Sequence, residues 1–249
     1  MKSGHRKKGK RPFRSPAFEL VYEDNFLLVV NKQAGFLSVP TGDWKRDRKQ
    51  EITLIGEIKH YLTIKSGRDN GATPIHRLDR DTSGLLVIAK SPRLAQRIKE
   101  QFKARKPERE YIALVKGQLK SSRGTFRSFL ITDEDLNQYS TRNEREGKLA
   151  ITHYETISSY KDATRVRVTL ETGRRNQIRV HFAEAGHPVI GDLRYRPAQA
   201  EHAAWPHRRL ALHASLLGFF HPILRKKLRF EAALPMEFSK FFLECGPVQ

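Results

Sequence analysis

Hydrophobic and polar positions along this chain predict more strands than helices. Residues 18–39 read as strand, turn, strand, with an apolar, β-rich run at 26–30 between Asp24-Asn25 and Ala34-Gly35. Residues 52–62 carry apolar side chains at 54, 55, 58, 61 and 62, a helical stripe. Leu85-Leu86-Val87-Ile88-Ala89 is a charge-free run of the kind a buried strand shows. Ser91-Pro92 then supplies an N-cap with proline at the first helical position, and Leu94, Ala95, Ile98 and Phe102 mark one face of the helix that Pro107 ends. Strands are expected at 111–115 and 126–131, and a polar loop or exposed hairpin without a site at 133–148. Residues 149–157 and 165–170 read as paired strands, Val166, Val168 and Leu170 alternating with Arg165, Arg167 and Thr169. Gly173 breaks the chain, 177–185 reads as a short helix closed by Gly186, and 210–219 and 228–233 are strands before a terminal helix at 236–243. Meandering strands with a few helices on a sheet predict an α+β fold rather than a doubly wound parallel sheet.

Composition adds a partner. Among 249 residues there are 47 Lys and Arg against 27 Asp and Glu, a net charge of +20. Seven of the basic residues fall within the first fourteen positions, so the rest of the chain still carries 40 basic to 27 acidic residues, or +13. A polyanion is the natural partner for such a surface, through phosphate neutralisation and counterion release. An anionic membrane is the rival, but no basic amphipathic helix with an aromatic face is present in the sequence. Residues 1–15 should be disordered alone, as an arm that grips nucleic acid or a solubilising tail. The loop at 41–50, basic and carrying Trp44, is a second candidate nucleic-acid contact. Cys245 is the single cysteine and the ten histidines are scattered, which argues against disulfides and metal ligation. With no apolar run of membrane-spanning length and no signal segment, the expectation is a soluble, cytoplasmic protein.

The candidate chemistry lies just ahead of the buried run. His76, Arg77, Asp79, Arg80 and Asp81 crowd five ionisable groups into six positions, and Thr82-Ser83-Gly84 turns the chain into the strand. A solvated loop can carry such charges. A loop anchored on an apolar strand can instead hold a carboxylate rigidly, as catalytic loops do.

His76-Arg77-Leu78-Asp79 with Thr82-Ser83-Gly84 and the strand after it resembles the signature of the RluA family of RNA pseudouridine synthases. Five further segments follow in that family's order: Glu108-Arg109-Glu110-Tyr111-Ile112-Ala113-Leu114-Val115; 147–154; Thr172-Gly173-Arg174 through Gln177-Ile178-Arg179-Val180-His181; Gly186-His187-Pro188 to Gly191-Asp192 and Tyr195; and Leu212-His213-Ala214 to His221-Pro222. One such motif is weak and six in order are strong.

With no charged linker after the tail, a single catalytic domain is expected over 16–249, and the stretch ahead of Phe18 is too short for the small N-terminal RNA-binding domain that many members of the resembled family carry. The resemblance implies a mixed, mainly antiparallel sheet with flanking helices and a central RNA-binding cleft. It implies an enzyme that detaches uracil from ribose, turns it and rejoins it through carbon, a balance that requires no cofactor, metal or redox change. Asp79 becomes the essential carboxylate, attacking the ribose or the uracil ring. Arg179 becomes its compensating charge, a guanidinium whose fork suits two hydrogen bonds to a carboxylate. Tyr111 lies against the target base. Arg77 fills the stack left by a flipped uridine, and His76, Arg80, Arg174, Arg175 and Asn176 are further RNA-binding candidates.

Two departures stand out. Gln33 replaces the proline of a Lys-Pro-x-Gly turn, which should loosen that turn, and Arg175-Asn176 replaces Thr-His in the Gly-Arg-Thr-His-Gln-Ile-Arg pattern. Gly191-Asp192 and Leu212-His213-Ala214 read as structural supports. The expected partner is ribosomal or transfer RNA, acted on by a monomer. The rival readings are a non-catalytic RNA-binding or ribosome-assembly factor on the same fold, and a base-excising glycosidase.

Overall fold

The strands that carry the candidate loop are apolar on both sides because both sides are covered. In the computed structural model, which describes residues 13–40, 52–67, 71–206 and 209–248, β2 (Leu27–Lys32) pairs with β4 (Ser83–Ala89) in antiparallel register, Val29 opposite Val87. Period-2 geometry sends Leu28, Val30, Leu86 and Ile88 to one core and Leu27, Val29, Leu85, Val87 and Ala89 to another. A strand buried on both faces reads as a continuous apolar run, which is why 85–89 shows no alternation. The first core is closed by α1 (Leu54–Ser66) and the C-terminal α5 (Met236–Cys245), through Leu54, Ile58, Phe238 and Phe241. The second is closed by α2 (Pro92–Lys103), through Leu94, Ala95 and Ile98. Ser91 caps α2, its Oγ accepting from Leu94 N–H at 3.3 Å with proline behind it.

One mixed sheet holds eleven strands over the described residues. Beyond β1 (Phe18–Glu23), β2, β3 (Thr73–Pro74) and β4 it contains β5 (Glu108–Lys116), β6 (Arg123–Thr132), β7 (Gln138–Thr141), β8 (Lys148–Tyr160), β9 (Ala163–Leu170), β10 (Leu212–His221) and β11 (Lys226–Glu231). The order is β1-β2-β4-β10-β5-β9-β8-β6-β7, with β11 on β10 and β3 on β4. Each pairing is antiparallel except β4 with β10, where His213 lies beside Ser83 and Ala214 beside Gly84. Gly84 has φ +116°, and a Cβ there would collide with the Ala214 backbone, so only glycine lets these two strands close up. That contact carries the start of β4, and with it the candidate loop, to the middle of the sheet. The mixed, mainly antiparallel sheet is the expected α+β architecture.

Several local readings are narrowed or corrected. Within 133–148 it is the hairpin alternative that holds, residues 138–141 pairing with β6. A four-residue helix α4 (Pro197–Ala200) and the two-residue β3 have no periodic signal to reveal them. The turn after β2 is tied rather than loosened, because Gln33 N–H, which proline would lack, donates to Ala17 O at 2.9 Å. Phe13 packs on Phe18, His60 and Tyr61, and Ser15 bonds Glu57, so 13–15 belong to the folded part. The rest of the basic tail and the 41–50 loop with Trp44 lie outside the described residues.

Part of the charge on the sheet is paired across strands. Arg123, Glu155 and Arg167 stand opposite one another on β6, β8 and β9 and pair in turn, and Arg167 reaches Glu110 on β5. Glu108 takes Lys227 and Arg229 of β11.

Candidate active site

Four consecutive carbonyls of the loop each have a donor. Ser38 Oγ donates to Leu78 O at 2.7 Å and accepts from Leu78 N–H at 3.1 Å. Thr82 N–H closes back on Asp79 O at 3.2 Å. Gly35 N–H and Lys32 Nζ share Arg80 O at 3.0 and 2.8 Å. Arg209 Nη1 reaches Asp81 O at 3.1 Å, while its Nη2 donates to Ser83 Oγ, itself 2.8 Å from His213 Nδ1. Satisfied backbone groups leave the loop little alternative conformation, so the side chain of Asp79 projects from a fixed support. Lys32 is fully buried, and burial pushes its ammonium down to about 7 against the pull of Asp81 and Asp79.

Arg179 comes from α3 (Gln177–Glu184), whose seat is set by Gln177. That side chain accepts from Thr172 Oγ1 and Arg174 N–H and donates to Ile151 O and Thr152 Oγ1. The fork of Arg179 is filled by Asp192 rather than Asp79: Nε and Nη2 each donate to an Asp192 oxygen at 2.7 Å. Its remaining arm, Nη1, lies 3.5 Å from Asp79 Oδ2. Arg179 is 8% exposed and Asp192 1%. Burial disfavours the Arg179 charge, yet the hydrogen bonds and charge of Asp192, aided by Asp79, outweigh it and raise its pKa. Asp192 therefore aims the cation, and the reading of Gly191-Asp192 as a support acquires a specific form.

Asn176 takes the place at Asp79 that the fork of Arg179 does not. It stands in the left-handed region, φ 52°, at the N-cap of α3, and makes no cap bond with its side chain. Its Nδ2 donates instead to Asp79 Oδ2 at 2.7 Å, and its Oδ1 accepts from the Tyr195 hydroxyl at 3.3 Å. The expected RNA contact is thus a buried amide engaged at both ends within the protein. The Tyr195 ring lies under Arg179 at 5.2 Å, and its hydroxyl accepts from Gln138 N–H on β7 at 3.0 Å.

An open cavity brings together Arg77, Asp79, Tyr111, Arg174, Asn176 and Arg179. Tyr111 is buried on β5, and its hydroxyl has no hydrogen-bond partner among the described residues. Burial raises its pKa, Arg109 opposes and Asp79 reinforces, so the phenol stays protonated near neutrality. Arg77 is exposed at the rim, and Arg174, also exposed, donates Nε to Leu149 O at 2.9 Å. Arg175 is half-buried; burial and the like charges of Arg194 and Arg77 loosen its proton while Asp79 works the other way.

His76 and Arg80 do not line this cavity. His76 stacks on Phe102 with centroids 4.8 Å apart, and burial with nearby Arg109 holds its imidazole down to about 3, hence neutral. Arg80 is exposed, and its backbone carbonyl is the anchor for Lys32 and Gly35.

Sequence reasoning missed Ser38, Lys32, Arg209, Tyr195 and Gln138 as site supports. Two of them had a signal, Lys32 as a lysine closing an apolar strand and Tyr195 as part of a matched motif. Among the described residues no group of three or more His, Cys, Asp or Glu side chains is placed to hold a metal ion.

The arrangement is a carboxylate braced on one oxygen, a buried phenol beside it, and guanidinium groups around the opening. Comparison with known proteins points the same way. Residues 26–184 match a family described as RNA pseudouridylate synthase. The chain is 36% identical over 222 residues to the dual-specificity RNA pseudouridine synthase RluA of Pasteurella multocida, covering 89% of this chain and 95% of that one. It is 36% identical over 231 residues to the ribosomal large subunit pseudouridine synthase D of Zymomonas mobilis, covering 90% and 71%. The solved structure of human RNA pseudouridylate synthase domain containing 4 shares the fold with a TM-score of 0.73 at 21% identity, over 92% of this chain and 94% of that one.

Proposed function

Because this chain belongs to the RNA pseudouridylate synthase family, whose reaction isomerises uridine in RNA to pseudouridine, we propose that Asp79 is the carboxylate that carries that reaction here. The observation that supports it most is the bracing of one Asp79 oxygen by Asn176 and Arg179 at the edge of an open, basic cavity. The other oxygen has no hydrogen-bond partner among the described residues and is the nucleophile. It attacks the anomeric carbon of the ribose as the bond to uracil N1 breaks. The freed uracil turns, its carbon 5 displaces Asp79 from the sugar, and the proton lost from carbon 5 balances the one gained at N1. Tyr111, a protonated phenol facing the cavity, keeps the base in place by ring contact and relays that proton. Arg179 keeps Asp79 anionic and in position between the two displacements.

The target uridine must leave its stack to reach Asp79, at a cost of a few kcal/mol. Arg77, exposed at the rim, takes the vacated place with its planar guanidinium, and Arg174 and Arg175 receive flanking phosphates. The substrate is a structured RNA, ribosomal or transfer; one relative is named for the ribosomal large subunit and the other for dual specificity. The reaction balance calls for no cofactor.

Pseudouridine mapping tests this reading and identifies the substrate. Total RNA is compared from cells lacking the gene and from cells given back the wild-type or an Asp79→Asn copy. Sites that vanish on deletion should return only with the wild-type copy. Equal return with Asp79→Asn would reject Asp79 as the reacting group.

A further inference from the structure

We infer that Asn176 is a positioning residue for Asp79, the last member of a directional hydrogen-bond chain that starts on strand β7 and selects which carboxylate oxygen reacts. The inference rests on the reading of Asp79 as the reacting carboxylate and adds how that group is held. The chain runs from Gln138 N–H to the Tyr195 oxygen at 3.0 Å, from the Tyr195 hydroxyl to Asn176 Oδ1 at 3.3 Å, and from Asn176 Nδ2 to Asp79 Oδ2 at 2.7 Å.

Each link dictates the next. A backbone N–H can only donate, so the Tyr195 oxygen accepts from it and directs its own proton onward. That proton requires a carbonyl oxygen, which fixes the orientation of the Asn176 amide. The amide then presents N–H to the carboxylate. The left-handed backbone of Asn176 makes this possible, because it turns the side chain away from the helix cap and toward the loop. With Arg179 Nη1 on the same oxygen, both braces fall on Oδ2, and Oδ1 has no hydrogen-bond partner among the described residues. A neutral amide performs this task at any pH. The charged or titratable groups around it are Arg179 and Asp192, Arg175, Arg77 and Tyr195.

The test uses purified full-length protein and unmodified transcripts of large-subunit ribosomal RNA and of transfer RNA. The transcript that the wild-type protein converts is then used to measure kcat and KM for pseudouridine formation. Asn176→Ala removes a hydrogen bond to a charged group and should lower kcat by about tenfold to a hundredfold with KM within about twofold. Tyr195→Phe, which keeps the ring under Arg179 and removes the link, should lower kcat by about three- to tenfold. Asn176→Asp carries the distinguishing signature. At neutral pH and above it places two anions together and should abolish turnover. As pH falls, a proton shared between them restores a donor to Asp79, and the activity of the variant should rise while that of wild type does not.

A rise in KM with kcat unchanged in Asn176→Ala would make Asn176 an RNA contact and overturn the inference. Wild-type kinetics in Asn176→Ala, or an Asn176→Asp variant whose pH profile matches wild type, would overturn it equally. If Asn176→Ala does not fold, Tyr195→Phe decides, and unchanged kcat there refutes the chain. Activity in Asp79→Asn would remove the underlying reading of Asp79. Inactive Asp79→Asn beside wild-type Asn176→Ala would remove only the positioning chain.

Discussion

Arg179 and Asp192 show how a single ion pair can serve both stability and chemistry. Their two 2.7 Å hydrogen bonds are buried, and a buried charge deprived of its partner is costly. Asp192→Asn keeps the shape and removes the countercharge, so it should lower the unfolding free energy by about 3 kcal/mol in chemical denaturation. Its residual activity should fall further than loss of folded protein explains, because Nη1 is no longer aimed at Asp79. Lys32 gives a pH test at the same scale. Its folded pKa, about 7, lies well below that of an exposed lysine. Below pH 7 both folded and unfolded chains hold the proton, and its contribution is flat at its least favourable value. Between about 7 and 10 the unfolded chain binds more protons than the folded one, so stability from this group rises with pH. Denaturation midpoints at pH 7 and 9.5 should show that rise in wild type and lose it in Lys32→Met. An identical slope in the variant would show that another group is responsible.

At the level of elements, the loop at 76–82 acts as a rigid part because its carbonyls are tied to β2, to the turn after it and to Arg209. Ser38→Ala removes both bonds to Leu78 and leaves buried backbone groups unmet. It should cost about 2 kcal/mol in denaturation and lower turnover about tenfold, with RNA affinity unchanged. Loss of affinity in place of turnover would mean that the loop grips RNA and does not aim Asp79.

These elements also show what a sequence can reveal. The run at 85–89, the stripe at 54–62 and the Ser91-Pro92 cap are local patterns, and each became the expected element. The sequence leaves strand β7 between polar loop and exposed hairpin because Gln138–Thr141 offers no apolar alternation, and it is the hairpin that forms. The Arg179 fork was assigned to Asp79 because nothing near Arg179 in the chain announces Asp192 thirteen residues on. Asn176 reads as an RNA-binding candidate able to donate and accept, and its bonds to Asp79 and Tyr195 are not legible because its left-handed turn has no signature beyond its being asparagine. Ser38, Lys32 and Arg209 meet the loop only through the β2–β4 pairing and the close approach of β4 to β10. Elements follow local periodicity, whereas the second layer of a site depends on which strands become neighbours.

For the whole molecule, some of the positive charge pairs with acids across the sheet, while Arg77 and Arg174 line the cavity that holds Asp79. Residues 1–12 contribute six further positive charges and no acid, so their deletion should weaken RNA binding at low salt without changing the modified uridine. If all six met phosphates, the slope of log K against log salt would fall by about 4 on single-stranded RNA. A smaller change is expected of an arm that engages a few charges at once, and a shift to a different uridine would contradict it. Among the described residues no helix is long and apolar enough to cross a membrane. The central claim, that this basic cleft serves one carboxylate, is tested most directly with purified Asp79→Asn under single-turnover conditions. RNA affinity should stay within about threefold of wild type, since an amide of the same shape replaces one charge among many, while pseudouridine formation should be absent after incubations many times longer than wild type needs. Turnover near the wild-type rate in that variant would contradict the account.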